Sequence, residues 1–198
     1  MAGFYGSLPT HERMRRMAQP ASPPARAAST WSPAVMLGLI EQEQKCRAAE
    51  ASLYEFVKQS WSTVEPGIPF VPSWHIELIC KHLEAVSRGD IKRLLINIPP
   101  RHSKSTIVSV MWPMWEWINS PEQKFLAASY SGTLSIRDNL KARRLIQSPW
   151  YQERWGHVFQ LSGDQNAKQR FEQSKTGYRR SPSKELQRTA AIASVDLP

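Results

Sequence analysis

Apolar residues recur with a helical period in two stretches of the chain. Leu39, Cys46 and Leu53 are seven residues apart, which predicts a helix over residues 33–60. A single apolar stripe of this kind predicts packing against a neighbouring domain. A coiled coil is the weaker alternative, because the repeat is short and carries the polar Gln42.

The second helical pattern spans residues 73–88 and is the clearest in the chain. Ser73 is a candidate N-cap, and Gly89 is a candidate stop, because glycine readily adopts the left-handed backbone that ends helices. One face of this predicted helix is apolar and consists of Ile76, Ile79, Cys80, Leu83 and Val86.

From residue 93 onward, short apolar runs alternate with helical patterns. Residues 93–98 are almost all apolar and stop at two prolines, which predicts a buried strand. Residues 105–118 predict a helix that kinks or shortens at Pro113, because proline lacks a backbone donor and its ring clashes with the preceding turn. Residues 124–131 predict a second strand.

The same alternation continues downstream. A helix is predicted at residues 134–147, short strands at 158–161 and 168–172, and a turn at Gly177. This order of elements predicts an α/β fold, in which a parallel sheet is flanked by helices.

The N-terminal part of the chain differs in composition from the rest. Residues 1–30 are rich in proline, alanine, serine and arginine, which predicts a flexible leader. The basic run at residues 11–17 would suit a short helix on DNA, and a solvated tail is the alternative. Residues 31–66 are predicted as a separate helical extension, because Pro66 and Gly67 break the chain there.

Charge and cysteine content narrow the class of protein. The chain has 26 lysine and arginine residues against 17 aspartate and glutamate, which gives a formal net charge of +9. This excess predicts an anionic partner such as nucleic acid or nucleotide, with a solvated basic surface as the alternative. Cys46 and Cys80 are far apart and form no C-x-x-C motif, which argues against a disulfide scaffold or a zinc site and fits a reducing cytoplasm. No apolar window reaches the length of a membrane span, and no secretory signal pattern is present.

The candidate chemistry lies between the predicted strand and the helix that follows it. In the phosphate-binding pattern G-x-x-x-x-G-K-[ST], Lys104 and Ser105 fill the last two places, while Ile98 and Ser103 occupy the glycine places. Unpaired N–H groups and the helix dipole favour a polyphosphate at such a helix start. The lysine reaches the outer phosphates, and the serine hydroxyl holds Mg²⁺. The alternative is an ordinary strand–turn–helix with a solvated lysine.

Residues 94–105 resemble the variant P-loop of the large terminase subunit of tailed bacteriophages, in which Pro-Pro-Arg-His/Gly-x-Lys-Ser replaces the glycine-rich pattern. Two further segments match in family order, Phe-Val-Pro-Ser-Trp-His-Ile-Glu at 70–77 and Ala-Ser-Tyr-Ser at 128–131. The resemblance covers about residues 50–178. It implies a P-loop NTPase domain of the RecA/helicase-like type, with ATP and Mg²⁺ as cofactors.

The resemblance also implies a function and partners. Terminase large subunits couple ATP hydrolysis to the translocation of double-stranded DNA into a procapsid, in the cytoplasm of a bacterial host. They act as an oligomeric ring, with the terminase small subunit and the portal protein as partners, and they are not membrane proteins. They also carry a C-terminal nuclease domain that has no counterpart in these 198 residues.

The resemblance assigns roles to individual loop residues. It implies that Lys104 binds the β- and γ-phosphates and that Ser105 supplies the Mg²⁺ hydroxyl. Arg101 becomes a candidate γ-phosphate sensor, because a charge there is worth most in the transition state. The remaining loop positions of the predicted nucleotide site are His102, Ser103 and Thr106.

Aromatic residues offer further nucleotide contacts. By resemblance, Trp74 and His75 contribute to an adenine pocket, with a core role for Trp74 as the alternative. Trp112, Trp115 and Trp117 would suit a platform for stacked bases, but a helix that packs on a sheet makes them core residues instead.

Candidate DNA contacts come from two places. Ser129 and Tyr130 follow the second predicted strand and by resemblance lie near DNA or join it to the nucleotide site, with a helix cap as the alternative. Arg137, Lys141 and Arg144 lie on the next predicted helix, where they would bind DNA phosphates independently of sequence. The alternative is that these residues form a solvated face of the helix.

The pattern of the family stops at about residue 179. The family continues with small residues and an apolar strand that ends in two acids, whereas residues 181–192 contain neither the strand nor the acids. We hypothesise a frameshift, because codons for residues 183–192 can be chosen so that the adjacent frame encodes Val-Lys-Gly-Thr-Ala-Thr-Asp-Arg-Gly-Asp. The domain boundaries expected are a leader at 1–30, a helical segment at 31–66, the first part of the ATPase domain at 67–178 and a non-native tail at 179–198.

These expectations lead to an ATP-binding part of a packaging motor that has little or no ATP turnover, because the acids that polarise the attacking water are missing. A helicase-like DNA translocase of another lineage is one alternative. An inert prophage remnant, with residual nucleotide or nucleic-acid binding, is the other.

Overall fold

The three-dimensional structure is a computed structural model that describes residues 32–129, 131–161 and 170–180. The chain divides into two compact units, Met1–Gly38 and Leu39–Pro198. The predicted leader at residues 1–30, Tyr130, and the part of the predicted tail after residue 180 lie outside the described residues.

The predicted helix at 33–60 is in fact two helices, α1 at Pro33–Ala51 and α2 at Leu53–Val64. Ser52 separates them with an extended backbone of φ −137° and ψ 124°. The break is held by a residue distant in sequence, because Glu84 Oε1 accepts hydrogen bonds from the Leu53 N–H at 2.7 Å and from the Ser52 hydroxyl at 3.3 Å. A carboxylate at a helix N-terminus also complements the helix dipole. Sequence periodicity alone could not show this capping contact.

Helix α3 spans Trp74–Ser87 and agrees with its predicted bounds. Its five predicted apolar-face residues are all buried. Gly89 follows with φ 81°, the left-handed conformation expected of a glycine stop.

A wide helical turn precedes Pro113. Thr106–Met111 is a π-helix, and α4 continues from it over Trp112–Asn119. The Trp112 N–H accordingly donates to the carbonyl five residues back, at Ile107. The predicted distortion therefore takes the form of a π-helix, whose wider turn eases the contact between the proline ring and the preceding carbonyls.

The sheet is small and has three strands, β1 at Phe125–Leu126, β2 at Arg170–Glu172 and β3 at Tyr178–Arg180. Their order is β1-β3-β2, with β3 parallel to β1 and antiparallel to β2. Helix α5 at Gly132–Gln147 and helix α6 at Pro149–Trp155 lie between β1 and β2 in the chain. Strand β3 crosses the boundary at residue 179 that the sequence predicts for the tail.

The strand prediction for residues 93–98 is wrong within the part of the chain that the structure describes. Leu94, Ile96 and Ile98 are half-buried and alternate with exposed neighbours, which is the period of a strand. No described strand pairs with this run, however, and Leu95 is 92% exposed. A strand requires a hydrogen-bonded neighbour, and β1 and β3 pair with each other instead. The second predicted strand, 124–131, is likewise reduced to the two residues of β1.

The core of the second unit is aromatic and lies among α2 to α6. Trp112, Trp115 and Trp117 are all buried, so the core interpretation of these residues is confirmed. Their indole N–H groups donate to the Ser87 hydroxyl, the Ala49 carbonyl and the Gln123 carbonyl respectively, as buried polar groups require. Among the described residues, no helix combines the length and apolar character needed to cross a membrane.

Candidate functional site

The loop before the π-helix has an unusual backbone. Arg101 and Ser103 are left-handed, with φ 69° and φ 62°. Ser103 occupies a glycine place of the phosphate-binding pattern, and it adopts the conformation that glycine would adopt without strain. For a residue with a Cβ this conformation costs about 1–2 kcal/mol. The loop therefore keeps a glycine-like path although it contains no glycine.

The helix that begins after this loop presents free backbone donors. Its first main-chain hydrogen bond runs from the Ile107 N–H to the Ser103 carbonyl at 3.0 Å. The N–H groups of Lys104, Ser105 and Thr106 have no backbone acceptor among the described residues. A left-handed residue followed by right-handed ones arranges successive N–H groups into an anion-binding concavity.

The side chains of the loop differ in exposure and partners. Arg101 and Ser105 are exposed, whereas Lys104 is partly buried and forms no hydrogen bond or ion pair with any described residue. These groups fit a polyphosphate with its bound Mg²⁺, since they supply one ammonium, one guanidinium and one hydroxyl at a helix N-terminus. Ser105 is the residue of this loop whose hydroxyl would hold Mg²⁺. The described part of the chain contains no group of three or more histidine, cysteine or acidic residues placed to bind a metal.

A histidine pair joins the loop to the start of α3. The rings of His75 and His102 are 5.5 Å apart, and the rings of Trp74 and His75 are 6.1 Å apart. His102 Nδ1 donates to the Pro100 carbonyl at 3.0 Å, so Nε2 is the acceptor nitrogen of the neutral ring. Of the two predicted adenine-pocket residues, His75 contacts the loop through His102, and Trp74 contacts His75.

Trp74 is 75% exposed, so the alternative that made it a core residue is wrong. An exposed indole is costly to leave in water, and its flat face suits stacking on a base. Trp74 is the first residue of α3, and its ring contacts that of His75.

An acidic residue that sequence reasoning missed binds the first residue of the π-helix. Glu65 Oε1 accepts a hydrogen bond from the Thr106 hydroxyl at 3.3 Å, and the Lys141 ammonium binds the same oxygen. These partners are 41 and 76 residues away along the chain. No local pattern marks Glu65, which looks in the sequence like a polar residue before a Pro-Gly break.

Glu65 also lines a cavity of about 340 Å³ at the end of α2. Lys58, Trp61 and Phe70 are among the other lining residues, and the rings of Trp61 and Phe70 are 5.4 Å apart. The cavity therefore combines an aromatic wall with one acid and one base.

The predicted DNA residues separate in the structure. Lys141 is engaged by Glu65, with 23% of its side chain exposed. Arg137 is 54% exposed and binds Asp138 at 2.9 Å, and Arg144 is exposed. Ser129 is half-buried, and Tyr130 falls outside the described residues. A continuous basic stripe of Arg137, Lys141 and Arg144 is therefore interrupted in its middle.

A buried cation that the sequence did not predict contacts α5. Arg179 of β3 is 0% exposed, and its Nε donates to Asn139 Oδ1 at 2.6 Å. Its Nη1 and Nη2 have no partner among the described residues. Burial lowers the pKa of Arg179 to about 10, although nearby Asp138 acts in the opposite direction. This residue was predicted as the start of the tail, yet it is a core residue of the sheet.

No protein-family model, no curated protein and no solved structure matches this chain. The candidate site therefore stands on its residues and geometry alone.

Proposed function

We propose that this chain is the ATP-binding part of a viral DNA-packaging motor of the terminase large-subunit type. In that role, ATP hydrolysis by the complete motor drives double-stranded DNA into a procapsid within the bacterial host. The observation that supports this best is the loop backbone, in which left-handed Arg101 and Ser103 lead into a helix with free N–H groups. This is the arrangement expected of a phosphate loop whose glycines have been replaced.

Each group of the loop has a distinct task in this proposal. The amides of Lys104, Ser105 and Thr106 and the Lys104 ammonium bind the β- and γ-phosphates. The Ser105 hydroxyl holds Mg²⁺, which neutralises phosphate charge when it is bound. Arg101 is exposed and free to reach the γ-phosphate.

The adenine base is assigned to the other end of the same surface. Trp74 offers its exposed face for stacking, and His75 and His102 offer ring nitrogens to the edge of the base. Stacking of a base on an aromatic ring is worth about 1–3 kcal/mol.

DNA and protein partners complete the proposed function. Arg137, Arg144 and Ser129, with Tyr130 beyond the described residues, remain candidates for DNA contacts. The small terminase subunit, the portal and a ring of large subunits are proposed as partners on the family resemblance. The frameshift is tested by reading the gene: a family-like continuation is expected in the adjacent frame across codons 183–192, and its absence would refute the hypothesis.

A non-catalytic nucleotide-binding remnant is the second candidate. It is favoured by the unpaired run at residues 93–98, which in a complete P-loop domain would lie inside a sheet. Either way, we expect this chain to show little or no steady-state ATP hydrolysis, and turnover that disappears on Lys104→Ala would contradict that expectation.

Nucleotide binding is tested by titrating the full chain with Mg²⁺ and a non-hydrolysable ATP analogue. Lys104→Ala is expected to weaken binding roughly tenfold to a hundredfold, because a charge-assisted contact to phosphate is lost. Lys92→Ala removes an exposed charge just before the same run and serves as the matched control, with affinity unchanged. Equal affinities of the wild type and the Lys104→Ala variant would overturn the proposed function.

A further inference from the structure

Lys141 shares a hydrogen-bond partner with Thr106, the residue that begins the π-helix. Its ammonium and the Thr106 hydroxyl bind the same oxygen, Glu65 Oε1. Thr106 also carries one of the amides with no backbone acceptor among the described residues. A cation from α5 is therefore held, through a single carboxylate oxygen, beside the candidate phosphate-binding amides.

The position of Lys141 on α5 explains why it points there. Asp138, Ala142 and Leu145 belong to the buried face of α5, and Lys141 lies at the edge of that face. Arg137 and Arg144 lie further round the helix and are exposed. Among these three basic residues of α5, Lys141 is the one that binds Glu65.

The ion pair with Glu65 is mostly buried, with 23% of the Lys141 side chain and 20% of the Glu65 side chain exposed. Removing two charges from water is costly, and an apolar pair of similar volume would hold these elements together at least as well. Glu65 also neutralises the charge of Lys141 while it holds the ammonium close to Thr106. Lysine has a flexible stem, so its ammonium can exchange one anion for another nearby.

We propose that Lys141 is a further phosphate-binding residue of the nucleotide site, and that Glu65 is the internal counter-ion that holds it beside Thr106 until phosphate is bound. This role rests on the nucleotide-binding function proposed above. It moves Lys141 from the predicted DNA surface to the nucleotide. A bound polyphosphate competes with Glu65 for the Lys141 ammonium. Glu65 therefore weakens nucleotide binding, but it also holds the ammonium in position before the nucleotide binds.

The test is a set of substitutions in the full chain, titrated with Mg²⁺ and a non-hydrolysable ATP analogue. Glu65→Gln keeps the shape and can still accept the Thr106 hydroxyl, but it releases Lys141 and removes a negative charge. We expect the affinity to rise about threefold to tenfold, and to rise less for ADP, which has fewer phosphate charges. Lys141→Met in the Glu65→Gln background is expected to remove most of this gain, whereas Lys141→Arg is expected to keep it.

Glu55→Gln is the matched control, because Glu55 lies on the same α2 and binds Lys58 at 3.3 Å on the surface. Its affinity for the analogue is expected to equal that of the wild type. The role of Lys141 would be overturned if Glu65→Gln raised the affinity for the ATP analogue no more than Glu55→Gln does. It would also be overturned if the higher affinity of Glu65→Gln persisted after Lys141→Met was added. The role would also be overturned if Glu65→Gln made double-stranded DNA binding more salt-dependent than in the wild type and left nucleotide affinity unchanged. The released Lys141 would then bind DNA phosphates instead of the nucleotide.

The two proposals fail in different ways. If Lys104→Ala leaves binding of the analogue unchanged, the nucleotide site itself is refuted, and the role of Lys141 with it. If Lys104→Ala abolishes binding while the Glu65 and Lys141 variants behave like the wild type, only the role of Lys141 is refuted.

Discussion

His75 and His102 contact each other with ring centroids 5.5 Å apart and planes inclined by 66°. This contact joins the start of α3 to the loop that precedes the π-helix, two segments that the sequence separates by a predicted strand. Because His102 is also bound to the Pro100 carbonyl, the pair fixes the loop against the helix. The exposed Trp74 contacts His75, so it is linked to the loop through this pair.

Trp74→Ala should weaken the base contact without affecting the fold. We expect the affinity for the ATP analogue to fall about tenfold and the affinity for tripolyphosphate to stay constant, since only the nucleotide carries a base to stack. Leu78→Ala, another exposed apolar residue on α3, should change neither affinity. A parallel loss for both ligands would show that Trp74 does not contact the base.

Ser103→Gly should stabilise the protein. The left-handed φ of 62° costs a serine about 1 kcal/mol that glycine avoids, so the free energy of unfolding should rise by about that amount. Ser131→Gly is the control, because Ser131 has φ −124° and glycine should there cost a few tenths of a kcal/mol. Urea unfolding measures both, and a lower stability of Ser103→Gly would contradict the strained backbone.

Arg179→Met should also raise the free energy of unfolding, by about 1–3 kcal/mol. The guanidinium is fully buried and two of its nitrogens lack partners among the described residues, so an apolar side chain of similar length removes an uncompensated desolvation cost. Arg88→Met, which breaks an exposed pair with Asp90, should change stability by less than about 1 kcal/mol. A loss of stability with Arg179→Met would contradict this prediction, because the hydrogen bond to Asn139 and the charge of nearby Asp138 would then more than offset the desolvation cost.

Cys80 should make the protein less stable at alkaline pH. Burial raises the pKa of its thiol to about 12 from the ordinary 9.0, with Glu84 and Glu77 adding to the shift. From pH 9 towards pH 12 the unfolded thiol loses its proton while the folded thiol keeps it, so stability falls by up to about 1.4 kcal/mol per pH unit. The Cys80→Ala variant should lose stability less steeply over this range. Identical slopes in urea unfolding would show that Cys80 ionises normally in the fold.

Local chemistry in the sequence was sufficient for several elements. The bounds of α3, its buried face and its glycine stop follow from helical periodicity and capping, which depend on neighbours three to four residues away. The distortion before Pro113 follows from the missing backbone donor. The residues of the loop, Lys104 and Ser105 above all, were also visible as a motif, although their function remains a proposal.

Tertiary structure decided what depends on partners far along the chain. Residues 93–98 have the composition of a strand, but pairing requires a neighbour, and the described strands pair among themselves. Glu65 became important only because folding brings Thr106 and Lys141 to one of its oxygens. Trp74 is exposed and Arg179 is buried, although hydropathy alone predicts a buried tryptophan and an exposed arginine. The sequence determined the helices and the candidate loop, because these depend on local interactions. Tertiary structure determined which side chains contact each other around that loop, because those contacts join residues far apart in the chain.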